Sequence, residues 1–112
     1  SFTVPVGAKV ALVGVSGSGK STIGRLVPRL MDAQEGAVLF NGIDVRCLRL
    51  TDLRGRIAVV SQDVVVFNDT IRHNILYARP EASTSELAAA LVGAGLEAAV
   101  AAMPLGLETV VG

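Results

Sequence analysis

The most explicit chemistry in the chain lies in eight consecutive residues, Gly14-Val15-Ser16-Gly17-Ser18-Gly19-Lys20-Ser21, with Thr22 behind them. They fit the spacing G-x-x-x-x-G-K-[ST] in full. A polyphosphate needs many hydrogen-bond donors converging at short range, and main-chain N–H groups provide them only where side chains stay clear. Gly14, Gly17 and Gly19 permit that approach and the unusual backbone angles it demands. A helix opening near Lys20 would turn its unpaired N–H groups and positive dipole end toward the anion. Lys20 would reach the β- and γ-phosphates of a nucleoside triphosphate, and the Ser21 hydroxyl would ligate Mg2+, a hard cation that prefers oxygen. The plain alternative is a glycine-rich turn that happens to precede a lysine. Chance alone produces the pattern in roughly one chain of this length in a few hundred. A dinucleotide-type G-x-G-x-x-G is not formed, because the place of its last glycine, counted from Gly17, holds Thr22.

The flanking sequence supplies the elements that such a loop requires. Ala8 to Val13 is a nearly continuous apolar run ending at Gly14, which suits a strand covered on both faces, as in a parallel sheet. After the loop, Ile23, Leu26, Val27 and Leu30 recur at helical spacing. Pro28 falls inside that pattern and predicts a kink or an early stop. Ala37 to Phe40, the Asn41-Gly42 pair and Ile43 to Val45 read as a hairpin. Ile57 to Ser61 is a second β-branched run, ended by Gln62 and Asp63. Further on, Asp69 is expected to cap a short helix from Thr70, with Ile71 and Ile75 on one face. Ser83-Thr84-Ser85-Glu86 fits a capping box and predicts a helix over about residues 84–92. Another helix is expected from Glu97 to Met103, stopped by Pro104. The order predicts an α/β beginning followed by a helical second half.

Composition narrows the function classes. The chain has 112 residues, 51% of them apolar, which argues for one domain at most and against disorder. Ten acidic residues balance ten basic ones, so a nucleic-acid partner held by backbone electrostatics is not expected. Cys47 stands alone and reads as an idle thiol, without a disulfide or metal role. The longest apolar stretch, Leu87 to Leu96, is interrupted by Gly93 and Gly95 and is too short to span a bilayer. Arg25, Arg29, Arg46, Arg49, Arg54 and Arg56 read as solvated charges scattered over helix faces and loops. The uncharged run Val64-Val65-Val66-Phe67 is β-prone and aggregation-prone when unpaired.

With these residues in view, essentially the whole chain resembles the nucleotide-binding domain of ABC transporters of the exporter type. The phosphate loop corresponds to the Walker A motif. Val59-Val60-Ser61-Gln62-Asp63 resembles the Q-loop, and Val66-Phe67-Asn68-Asp69-Thr70-Ile71 with Asn74-Ile75 resembles the exporter stretch that follows. The Phe-Asn-Asp-Thr-Ile wording is most similar to half-transporters of the mitochondrial iron–sulfur and heavy-metal-tolerance group. The resemblance implies a P-loop NTPase core, an α/β part over residues 1–62 with the hairpin, and the start of a helical subdomain over 63–112. It implies that Gly14, Val15, Ser16, Gly17, Ser18, Gly19, Lys20, Ser21 and Thr22 bind ATP. Gln62 would approach the Mg2+ and the attacking water and would act as a hinge. The Phe67–Ile75 segment would meet the transmembrane domain, with core packing of Phe67, Ile71 and Ile75 as the plain alternative or companion. A second nucleotide-binding domain would close head to tail on the first, and the segment would be soluble, facing the cytoplasm or the mitochondrial matrix.

Departures from the family pattern are equally legible. The adenine-stacking aromatic, the signature motif, Walker B and the switch histidine do not occur in the sequence. His73 precedes Walker B's place and reads as a half-solvated helical residue. Ala78 stands where glycine is usual, and Pro28 is unusual in the first helix. A small P-loop kinase and a nucleotide-binding segment without hydrolysis are the alternatives to an ATP-driven exporter.

Overall fold

The computed structural model describes residues 1–112, which separate into two units, Ser1–Val59 and Val60–Gly112. In the first unit the earliest regular element is helix α1, Lys20–Leu26. Pro28 fixes its end. Lacking an N–H, proline cannot continue the helical ladder. The chain instead closes with Arg29 N–H on the Leu26 carbonyl at 3.1 Å and Leu30 N–H on the Arg25 carbonyl at 2.9 Å. This paired closure needs a left-handed residue, ordinarily glycine, and here Arg29 takes it at φ 55°. The early stop expected at Pro28 is therefore present.

The hairpin also forms. Strands β1, Leu39–Phe40, and β2, Ile43–Asp44, pair antiparallel with Leu39 opposite Asp44 and Phe40 opposite Ile43. Asn41 and Gly42 carry the turn at φ 50° and 79°, the two positive angles that a two-residue connection requires. Val45 N–H donates to the Val38 carbonyl at 2.9 Å and extends the pairing by one bond. A 3-10 turn over Val45–Cys47 and helix α2, Leu50–Arg54, follow. Val45, Leu53 and Pro28 are buried in this unit, and Leu53 is fully enclosed.

Two expected strands are absent. Ala8–Val13 and Ile57–Ser61 take no ladder hydrogen bonds and form no strand. A buried parallel strand exists only through neighbours on both sides, and these runs find none among the 112 residues. Val13 and Val60 are accordingly 92% and 97% exposed. The apolar composition of the runs is right for a strand, but pairing is not a local property.

In the second unit β3, Asp69–Thr70, pairs antiparallel with β4, Val110–Val111, and Ile71 N–H donates to the Thr109 carbonyl at 2.9 Å. Helix α3, Ile71–Leu76, starts directly from β3. Its cap is Thr70, whose hydroxyl accepts from His73 N–H at 3.0 Å. This corrects the expectation for Asp69. That carboxylate instead accepts from Thr70 N–H at 2.6 Å, because the helix starts at Ile71 and Asp69 lies one residue too early to face its amides. Helix α4, Thr84–Gly93, begins at the expected capping box: Ser83 Oγ accepts from Glu86 N–H at 3.2 Å, and Glu86 accepts from Ser83 N–H at 2.8 Å. Hydrogen bonding to Ser83 and the charge of Arg79 hold the Glu86 carboxyl below its ordinary range. Helix α5, Glu97–Ala101, is two residues shorter than expected. Leu87 and Leu91 of α4 and Val100 of α5 are buried in this unit. No helix is long and apolar enough to cross a membrane.

Candidate functional site

The glycine-rich loop is built in the first unit as its spacing requires. Ser18 N–H donates to the Val15 carbonyl at 3.1 Å, which bends residues 15–18 into a tight turn. Gly17 and Gly19 sit at φ 82° and 92°, and Gly19 in this left-handed state is the residue from which α1 starts. Gly14 serves another purpose. A Cβ built there would lie 2.7 Å from Ser18 Oγ and 3.3 Å from its Cβ, so a side chain at this point would force Ser18 to shift.

The consequence is a run of free donors. After Ser18, Ile23 N–H is the next to return to the chain, donating to the Gly19 carbonyl at 3.1 Å. The amides of Gly17, Gly19, Lys20, Ser21 and Thr22 have no acceptor among the chain's own groups. No side chain caps this end of α1. Unpaired N–H groups at a helix start favour an anion, and the chemistry of this donor set fits phosphate oxygens. Lys20 adds the positive charge. Its Nζ donates to the Gly14 carbonyl and lies 3.5 Å from that of Val15, so the ammonium is held within the loop it serves. Ser21 is exposed and its hydroxyl is unengaged. It supplies the oxygen that a Mg2+ ion would need.

Residues 14–22 thus come together in the first unit, while Gln62 belongs to the second, in the exposed bend Gln62–Asp63. Its side chain makes no hydrogen bond within the chain. The Phe67–Ile75 segment borders an open groove of about 500 Å3 lined by Asp69, Thr70, His73, Leu76, Tyr77 and Pro80, among others. His73 is exposed there, with Nδ1 3.7 Å from Asp69 Oδ2. Phe67 stacks on Tyr77 with ring centroids 4.4 Å apart.

Three residues have roles that the sequence did not announce. The Asn74 amide accepts from Phe67 N–H at 2.8 Å and donates to the Phe67 and Thr70 carbonyls, both at 3.0 Å. Its spacing of four from Thr70 was the available signal, since i and i+4 share a helix face. Arg54 donates to two carbonyls more than twenty residues earlier, for which no local signal exists. Arg46 binds Asp44 at 2.7 Å and also reaches the Gly36 carbonyl at 3.3 Å. Neither arginine is merely solvated. Cys47 is free and exposed.

Comparison with known proteins places this geometry. The profile of the ABC transporter family matches residues 1–107. Over its whole length the chain is 50% identical to the ATP-dependent lipid A-core flippase of Thiobacillus denitrificans, of which it covers 20%. It is 48% identical, again over its whole length, to the mitochondrial iron-sulfur clusters transporter ATM1 of Candida glabrata, covering 15% of that protein. Among solved structures, a bacterial Atm1-family ABC exporter with ATP bound superposes with a TM-score of 0.79 at 46% identity, over 88% of this chain and 17% of that one. The chain belongs to the ABC transporter family. The part it represents is the nucleotide-binding domain of the exporter type, with the P-loop NTPase fold expected from the sequence, and it spans a fifth or less of the length of these relatives.

Proposed function

We propose that residues 14–22 cradle the phosphates of ATP with Mg2+, and that the intact protein couples ATP hydrolysis to export of a substrate across a membrane. The observation that carries this reading is the row of five amides without acceptors at the start of α1, directly beside the Lys20 ammonium. In such a site, catalysis consists of positioning and charge stabilisation. Lys20 leaves the Gly14 carbonyl for phosphate oxygens, and the loop amides take the remaining lone pairs. Ser21 and Gln62 are assigned to the metal. The ion, when bound, neutralises charge on the β- and γ-phosphates.

Residues 1–62 are assigned to the P-loop α/β part and 63–112 to the start of the helical subdomain. The Phe67–Ile75 segment meets the transmembrane domain, and a second nucleotide-binding domain completes the site head to tail. The segment faces the cytoplasm or the mitochondrial matrix. Since phosphoryl transfer to water needs a polarising carboxylate that these 112 residues do not carry, the chain alone binds nucleotide weakly and hydrolyses it negligibly.

The test is a nucleotide titration with and without Mg2+. Removing a charged donor from phosphate costs roughly ten- to a hundred-fold in affinity, which is expected for Lys20→Ala. Ser21→Ala should lose the Mg2+-dependent share of binding and keep the metal-free share. Equal losses in both conditions refute the metal role, and unchanged binding by Lys20→Ala refutes the site.

A further inference from the structure

The end of α1 opposite the phosphate loop is built against local preference. Pro28 deprives the Gly24 carbonyl of its helical donor, and Arg29 occupies a left-handed conformation at φ 55° that L-residues avoid. Further on, the carbonyls of Pro28 and Arg29 have no backbone donor. Both are taken by one side chain. Arg54 Nε donates to the Pro28 carbonyl at 3.1 Å, and Arg54 Nη2 donates to that of Arg29 at 2.9 Å.

The placement of Arg54 is specific. It is the last residue of α2, directly after the fully enclosed Leu53, so the backbone carrying it is anchored. No ion pair of the chain includes it, and its guanidinium is spent on main-chain oxygens alone. Pro28 is itself buried. A planar fork that spans two adjacent carbonyls is a geometry that guanidinium provides and ammonium does not. Its charge also lies at the negative end of α1.

We propose that Arg54 is a positioning residue for the nucleotide loop. It clasps the exit of α1 and thereby fixes the axis of the two-turn helix whose first residues, Lys20 and Ser21, face the phosphates. With α1 only seven residues long, freedom at one end is passed to the other over about 10 Å. The inference rests on the nucleotide reading given above.

The test uses the intact transporter carrying this segment and measures KM and kcat for ATP. Arg54→Ala is expected to raise KM about five-fold, the scale of losing one to two hydrogen bonds, with kcat within about two-fold of wild type. Arg54→Lys keeps the charge and one bond, and its KM should fall between. Arg46→Ala is the control, because it removes a comparable side-chain hold on the hairpin of the same unit without touching α1, and should leave KM unchanged. A wild-type KM in both Arg54 variants overturns the proposal, as does an equal KM rise in Arg46→Ala, which would mark a general loss of stability. If the alanine variant does not fold, the lysine variant decides alone, and a wild-type KM there overturns it. Lys20→Ala in the same series separates the two readings: if it binds ATP normally the nucleotide reading itself fails, whereas weak binding by Lys20→Ala with normal Arg54 variants sinks only the clasp.

Discussion

Replacement of Asn74 is expected to release the segment that precedes α3, and the effect can be worked from three bonds. The Asn74 Oδ1 is the acceptor for Phe67 N–H at 2.8 Å, and Nδ2 donates to the carbonyls of Phe67 and Thr70 at 3.0 Å each. A fourth contact, to the Asp69 carbonyl at 3.4 Å, is weaker. A net worth of about 1 kcal/mol per bond gives about 2–3 kcal/mol for Asn74→Ala. Every 1.4 kcal/mol is ten-fold in an opening equilibrium, so exchange of the Phe67 amide should accelerate by roughly thirty- to a hundred-fold. Amides of α4, whose cap is made by Ser83 and Glu86, should be unchanged. Asn74→Asp distinguishes the two halves of the amide. It keeps the acceptor for Phe67 N–H but replaces the donating Nδ2 with one oxygen that faces both carbonyls, so Phe67 stays protected while the segment as a whole is destabilised. Hydrogen exchange read at single residues measures both. If Phe67 exchanges equally fast in wild type and Asn74→Ala, the bond network does not hold this segment, and the assignment of Asn74 fails.

Acid should act on the hairpin. Side-chain and backbone hydrogen bonds from Arg46 lower the Asp44 pKa from 3.8 to about 2. A depressed carboxyl stabilises the fold above its unfolded pKa and loses that contribution as pH falls through the folded value. The β1–β2 hairpin is therefore expected to loosen between about pH 4 and pH 2, and carboxyl titration by NMR in Arg46→Ala should return Asp44 toward its ordinary range. Heating should reveal how few side chains are enclosed: with Pro28, Val45 and Leu53 in one unit and Leu87, Leu91 and Val100 in the other, the chain should melt broadly. The apparent van't Hoff enthalpy should fall well under the ~60–80 kcal/mol of a cooperative domain of about 100 residues. One sharp transition at that enthalpy contradicts the expectation.

What could be read from the residues follows from how far each feature reaches along the chain. The loop of residues 14–21, the Asn41-Gly42 turn, the Ser83–Glu86 cap and the stop at Pro28 are each decided within eight residues or fewer, and each is present. Asp69 failed as a cap although its type suits one, because Asp69 and Thr70 both pair with β4, forty residues later, so the helix starts only at Ile71 and Thr70 takes the cap position. Ala8–Val13 and Ile57–Ser61 failed as strands for the same reason in reverse: their composition asks for neighbours that these residues do not include. Arg54 was invisible because its partners lie 25 and 26 residues back. The same division runs through function. Relatives whose names carry different cargoes, lipid A-core in one and iron–sulfur clusters in another, match this segment at 50% and 48% identity. Near-equal likeness across unlike cargoes is what a segment that takes no part in choosing the cargo would show. On that account, exchanging this segment between two such transporters should leave the transported substrate as it was, and a changed substrate after the exchange would refute the reasoning.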